Sequence, residues 1–424
     1  AAETALENSP PHRKNLLGQN TWGDWTEMGV GISRGPNGYI WVAQVFVKRP
    51  TPTSLVTTSA YAPVSPTTVF ESVGITPARS VTPIQVTGVG GVPGNSTAAV
   101  VNIEVLESEG SGYVQALAPG QAPGTTSNVN IIGTDPVANT AVVPLSTTGQ
   151  MRIFNFLGAR MRVTVVGYFS PAPTAVAAGR FIAVNPTRVL DTRPSKLVNY
   201  SGDQPAAGET ITARVNGLAG VPTTGVRAVV LNVVATQTTD AGSVQVGAGG
   251  LRPGAWRSLL MAKAGQTISN LVIVPVDANG DVDLYTDVGT HLVVDVQGWF
   301  TTSSAAPSRL GLFVPTASTR FLDTRSSAAT WGEKRVSVDL RYGQPTCPTA
   351  VLGNLTVIPV GGPSYVQVGP AARFTWGAFS NVNMEVIGAA VANAMLVLTG
   401  ADRDIGAFIP VAGHVIVDLS GWFV

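Results

Sequence analysis

Charge is scarce in this 424-residue chain: Asp, Glu, Lys and Arg make up 12% of it, about half the usual share. Lys and Arg number 26 against 25 acids, a net charge of +1, so no global field draws the chain to nucleic acid or to an anionic membrane. A single cysteine, Cys347, excludes an internal disulfide framework and leaves the redox compartment open. No apolar run approaches the ~18 residues of a membrane span. No signal segment is visible, so a secreted form is expected to have lost its targeting segment already. Beyond the first seventeen residues nothing keeps a helical apolar period. No Ser or Cys recurs in register as a nucleophile, and no glycine-rich loop opens a helix as a phosphate cradle requires.

What the chain does have is turn formers, apolar residues and repetition. Gly and Pro number 47 and 30, and apolar residues make up 44%. The stretch Thr290 to Phe300, T-H-L-V-V-D-V-Q-G-W-F, returns as Gly413 to Phe423 and, more loosely, as Ala159 to Phe169. Its alternation is that of a half-buried strand. Asn139, Asn270 and Asn393 each lie 28 residues before the glycine of the closing Gly-aromatic-Phe. Asn102, Asn232 and Asn354 lie a further 37, 38 and 39 residues upstream. Each unit opens on R-V-L-D-T-R (Arg188 to Arg193), R-F-L-D-T-R (Arg320 to Arg325) or a decayed T-V-F-E-S-V (Thr68 to Val73). Fixed order at near-fixed spacing is the mark of repeated domains. Boundaries are expected at 61-171, 176-302 and 306-424, separated by Thr/Ser/Pro-rich linkers. Short Val/Ile/Thr-rich segments between Gly/Pro turns predict three tandem β-sandwich, jelly-roll-like domains.

These motifs resemble a repeat carried in tandem by secreted and surface proteins of actinobacteria. The resemblance implies an extracellular or cell-surface location, a β-rich fold, and an accessory or binding role with no general enzymatic activity.

Residues 1-50 differ from the rest. T-E-M-G-V-G-I-S (Thr26 to Ser33) and G-Y-I-W-V-A-Q-V-F-V (Gly38 to Val47) read as two strands, and Ala1 to Leu6 and His12 to Leu17 as short helical turns. With N-S-P-P-H-R-K-N-L-L (Asn8 to Leu17), this stretch resembles the C-terminal part of a CAP superfamily domain, which implies a short α/β remnant before the sandwiches. His12 matches one histidine of the CAP cavity. A single imidazole lacks the partners that a metal or catalytic site needs, so neither cofactor nor metal is expected.

The recurring polar residues invite a chemical and a structural reading. His291 and Asp295, like His414 and Asp418, lie four apart on one strand face, about 13 Å, too far for direct contact. The structural reading is an ion-pair network. Copies two and three hold Arg188, Asp191, Arg193, Asp295 and Arg320, Asp323, Arg325, Asp418; copy one loses both arginines and the strand aspartate together, keeps Glu71, and gains Arg160 and Arg162. An unpaired buried charge costs several kcal/mol, so partners should disappear together. Asp295 is thus expected beside Arg188 or Arg193, Asp418 beside Arg320 or Arg325, and Glu71 beside Arg160 or Arg162. Asn102, Asn139, Asn232, Asn270, Asn354 and Asn393 are expected to be buried amides satisfying loop backbone. The Gly-aromatic-Phe residues read as closing the domain cores, while Trp256, Trp331 and Trp376 leave a carbohydrate-stacking role open.

Three functions follow from these features. The first is a non-catalytic structural, adhesive or self-assembling surface protein, with tandem sandwiches forming a rod-like spacer. The second is an array of carbohydrate or cell-wall binding modules, and the third is an accessory part of a CAP-type enzyme. Partners are expected to be further copies of the chain or a cell-envelope polysaccharide, with no nucleic acid and no membrane span. A two-stranded leader is marginal alone, so it is expected to dock on the first repeat or to join another chain.

Overall fold

The computed structural model describes residues 8–10, 27–35, 39–47, 57–124, 126–337, 348–371, 376–400 and 404–424. The leader and the rest of the chain form two compact units. In the leader, β1 (Glu27–Arg34) and β2 (Ile40–Val47) make an antiparallel hairpin, in register from Glu27↔Val47 to Arg34↔Ile40. Gly35 N donates to Tyr39 O at 2.8 Å where the chain turns. The Ile40-Trp41-Val42 run is β-branched and aromatic, which favours extended backbone.

This hairpin corrects the expected α/β CAP remnant. The elements described are strands, apart from one 3-10 turn at Pro194–Lys196, and those of the leader are the two strands of the hairpin. The helical turns expected before Gly18, with His12, lie outside the described residues.

The first two repeats are eight-stranded sandwiches, and the third builds the same sandwich from seven. In the first, β3 (Ser59–Glu71), β10 (Ala159–Pro171), β5 (Ala98–Ser108) and β8 (Val137–Pro144) form one sheet in that order. Facing it are β4 (Ser80–Gln85), β9 (Gln150–Asn155), β6 (Gly112–Leu117) and β7 (Val129–Ile131). Counted within the repeat, the orders are 1-8-3-6 and 2-7-4-5, two interleaved Greek keys, which is a jelly roll. The second repeat has the same orders: β11 (Phe181–Asp191), β18 (His291–Thr301), β13 (Val226–Thr236), β16 (Ile268–Pro275), and then β12 (Thr210–Arg214), β17 (Asp281–Thr286), β14 (Gly242–Gly247), β15 (Leu259–Met261).

The third repeat spans β19 (Phe313–Asp323), β20 (Thr330–Ser337), β21 (Ala350–Pro359), β22 (Ser364–Pro370), β23 (Val382–Met384), β24 (Val391–Leu398) and β25 (Asp404–Phe423). Here β25 runs unbroken through both sheets, pairing with β20 and β22 on one and with β19 and β21 on the other. It thus does the work of strands seven and eight.

Each sandwich has its own core between its sheets. A fourth cluster belongs to all three: Tyr61 and Phe169, Phe181 and Phe300, Phe313 and Phe423, with small and aliphatic residues such as Ala98, Ala228 and Ala350 around them. Its pairs run in a ring. Tyr61 lies 4.3 Å from Phe300, Phe181 4.7 Å from Phe423, and Phe313 4.4 Å from Phe169 between ring centroids. Each contact joins the first strand of one repeat to the last strand of another, so the three sandwiches close around a common axis. This corrects the rod-like spacer: burying each phenylalanine is worth about 1.5–3 kcal/mol, and a linear string would leave all six rings wet.

Strand alternation explains the closing motif. In Gly-Trp-Phe, Trp299 and Trp422 turn toward the core of their own sandwich, while Phe300 and Phe423 turn to the shared axis. The preceding glycine is required sterically, because a Cβ at Gly298 or Gly421 would overlap the ring of Phe181 or Phe313. The linkers complete the ring: Tyr61 N donates to Gly179 O at 2.9 Å, Phe181 N to Gly311 O at 2.7 Å, and Phe313 pairs with Ser59.

Candidate functional site

The recurring polar residues collect on the outer face of each 1-8-3-6 sheet, the face turned toward another repeat. Register puts them in rows across the strands. Arg188 lies opposite Asp295, and Asp295 opposite Asn232; Arg320, Asp418 and Asn354 repeat this, and Thr68, Thr164 and Asn102 hold the same places in the first repeat.

In the second repeat the structure brings Arg188 and Asp295 together as a bidentate pair, Nε to Oδ1 at 3.0 Å and Nη2 to Oδ2 at 3.2 Å. Arg188 also reaches Asp191 at 3.2 Å, and Arg193 grips Asp191 at 2.6 Å. The third repeat has the same arrangement, with Arg320 on Asp418 at 2.8 Å, Arg320 on Asp323 at 3.0 Å and Arg325 on Asp323 at 2.6 Å. Burial pushes Asp295 and Asp418 above the usual carboxylate range despite their arginines. Burial acts the same way on Asp191, but the hydrogen bonds from Arg193 outweigh it and hold that carboxyl down. The hydrogen bond from Arg325 takes Asp323 down to about 2. Charge-assisted bonds on both oxygens hold these carboxylates as structural clamps.

The first repeat is built differently. Arg162 pairs with Glu71 at 3.1 Å, whereas Arg160 pairs with Glu107 at 3.5 Å. The hydrogen bond from Arg162 lowers the Glu71 pKa. Its buried acid is Glu104, fully inaccessible, on β5 and not on the closing strand; Arg162 stands 3.6 Å away and Arg257, from the second repeat, 3.3 Å. Burial raises Glu104 above its usual range. The sequence reading missed Glu104 and Arg257. The available signal was a lone Glu inside the apolar run V-V-N-I-E-V, where the other copies have Val234 and Thr356.

The asparagines bind loops and repeats at once. Asn139, Asn270 and Asn393 each donate Nδ2 to a carbonyl of their own repeat, that of Asn128, Ser258 and Asn381, all at 2.6 Å. Their Oδ1 atoms pass around the axis: Asn139 accepts from Ala394 N at 3.0 Å, Asn393 from Leu271 N at 2.9 Å, and Asn270 from Thr140 N at 3.3 Å. Asn102 and Asn232 donate across a junction to Arg257 O and Ser380 O, both at 2.6 Å. Asn354 donates to Thr356 Oγ1 within its own repeat at 3.1 Å.

The histidines stand apart from the aspartates. His291 Nδ1 meets Thr192 Oγ1 at 3.1 Å and His414 Nδ1 the Thr324 carbonyl at 3.0 Å. Burial lowers the His291 pKa. Among the described residues no three His, Cys, Asp or Glu side chains converge as metal ligands would, and no helix is long and apolar enough to cross a membrane. Of the tryptophans, Trp331 is 75% exposed and Trp256 is buried, while Trp376 stacks on Phe408 at 5.2 Å.

No protein-family model matches the chain, and no curated protein matches it. Among solved structures, the chain is similar to one described as the atomic structure of Sulfolobus Turreted Icosahedral Virus, with 9% identity over 97% of this chain and 94% of that one, at a TM-score of 0.17. Another, described under the triple jelly roll fold and turret assembly in an archaeal virus, gives 9% identity, 97% and 93% coverage and a TM-score of 0.16. Superpositions of that quality carry no information about the role of this chain.

Proposed function

We propose that the chain is a non-catalytic structural protein of an extracellular or cell surface, a prebuilt three-part block that associates with further copies of itself. One observation carries this reading: the residues that recur between repeats are spent on one another. The aromatics form the shared core, the asparagines the ring, and the aspartates the clamps. The resemblance of the repeats to actinobacterial surface proteins supports the location. The CAP-type enzyme reading falls with the correction of the leader.

Two features support self-association. The leader forms a two-stranded sheet of its own, and such a hairpin is marginal in water and open to strand addition. On the third repeat, Gly388 N donates to Pro359 O, which brings Ile387 and Val360, 59% and 48% exposed, to one rim. Neighbouring exposed aliphatics are what a contact surface presents.

Sedimentation velocity and electron microscopy of the whole chain test this. Ordered oligomers or filaments that dissolve in a Val360→Ser/Ile387→Ser variant are the expected result. A monomer at every concentration defeats the self-association.

A further inference from the structure

The three junctions around the axis are built alike, and one differs. Between the second and third repeats, Asn232 Oδ1 accepts a hydrogen bond from Asn393 Nδ2 at 3.2 Å; between the third and the first, Asn354 Oδ1 accepts one from Asn139 Nδ2 at 3.2 Å. At the first-to-second junction the matching acceptor is Asn102 Oδ1, buried and without a partner. The donor that would complete the pattern, Asn270 Nδ2, donates to Ser258 O as its counterparts donate to their own loops, but gives no second hydrogen bond to Asn102. The orientation of the Asn102 amide is not free, because its Nδ2 donates to Arg257 O at 2.6 Å and a flip would set two oxygens against each other.

At this same junction the structure holds a cavity of about 720 Å³ with Asn102 in its lining. Its walls include Val64 and Pro66 of β3, Ile273 of β16, and Leu251 and Trp256 from the loop between β14 and β15. Of the other polar side chains in the lining, Thr140 already donates to Leu271 O at 2.6 Å and Ser258 Oγ accepts from Val246 N at 3.1 Å, while Ser65 and Arg252 are exposed. A concave space in the range of about 300–1,000 Å³, mainly apolar with a few polar groups, among them a buried unpaired acceptor, is what a small-molecule site looks like.

We infer that this cavity binds a small, neutral, amphipathic molecule: an apolar body that lies against Leu251, Trp256 and Ile273 and carries one hydroxyl or amide donor for Asn102 Oδ1. The polarity of the head group follows from the atoms. A carboxylate has no proton to give a carbonyl acceptor. An ammonium would sit near Arg257, already drawn to Glu104, and Arg252, which lines the cavity. A neutral donor satisfies an acceptor whose burial is otherwise uncompensated.

Calorimetric titration of the whole chain with cyclohexylethanol and with its methyl ether tests the assignment, since the two probes share a body and differ in the donor. The alcohol is expected to bind at least about tenfold more tightly, the worth of one hydrogen bond to a buried acceptor. Ser65→Trp places an indole in the lining from an exposed position; it is expected to abolish binding while the unfolding midpoint stays unchanged. Asn102→Leu is expected to bind alcohol and ether alike. Equal binding of the two probes by the unaltered chain, no binding of either, or unchanged binding by Ser65→Trp overturns the inference. Preference for cellobiose over the alcohol does so as well, and assigns the cavity to a glycan.

Discussion

The second and first repeats solve one problem in two ways. In the second, the buried carboxylate of Asp295 and its arginine lie side by side on adjacent strands of one four-stranded sheet, and the pair is made within the repeat. In the first, the closing strand carries Thr164 where the aspartate stands, the buried acid has moved to Glu104, and half of its charge partner comes from Arg257 of the neighbouring repeat. A buried charge can therefore be neutralised within a domain or borrowed across a junction, and the borrowed solution ties the stability of one domain to the next.

The sharpest way to break this comparison is to remove each closing-strand residue in turn. Asp295→Ala leaves Arg188 facing a buried gap and is expected to lower stability by about 3–5 kcal/mol, read from the urea midpoint of the whole chain. Thr164→Val, which deletes a buried hydroxyl without a partner, is expected to be neutral or slightly stabilising by the same measurement. Arg257→Met comes next. It removes the cross-repeat partner of Glu104 and is expected to cost about 2–3 kcal/mol, with faster amide exchange in β5 of the first repeat although the substitution lies in the second. Equal protection of β5 in both proteins would count against the borrowing.

The asparagines sharpen the comparison further. Asn232 uses both ends of its amide and Asn102 only one, so Asn232→Ala is expected to cost about 2 kcal/mol and Asn102→Ala about 1 kcal/mol by denaturant titration.

A further effect appears in acid. Asp323 has a folded pKa of about 2 against an unfolded value of about 3.9. Its contribution is complete above about pH 4 and is lost as pH falls toward 2, about 1–2 kcal/mol once its partial exposure is allowed for. Asp295 and Asp418, raised by burial, act in the opposite sense and relieve the folded state as they protonate. Asp323→Asn is expected to flatten the acid limb of a pH series of urea midpoints. An unchanged limb would remove Asp323 from the account.

What a repeat holds within itself was open to a reading of residue spacing. Arg188 and Asp295 face each other because the first and last strands of a jelly roll are neighbours, and both residues recur in step with the strand period. What one repeat takes from another left no such trace. Phe300 and Trp299 are adjacent and equally apolar, and only the placement of a second repeat separates the shared core from the private one. The glycines that open the second and third repeats gave no sign either, yet Gly179 and Gly311 accept backbone hydrogen bonds at the axis. In the leader, local β propensity placed both strands of the hairpin, whereas the helical turns expected beside them lie outside the described residues.

The covalent links between the repeats have a consequence for dilution. A ring of three identical separate subunits falls apart as its concentration drops, and a change in one contact is repeated in all three. Here the three partners are tethered, so closure is unimolecular and each repeat meets the next at an effective concentration set by a few linker residues. Because the junctions are encoded separately, one of them can lose a hydrogen bond and open a cavity while the other two hold the ring shut.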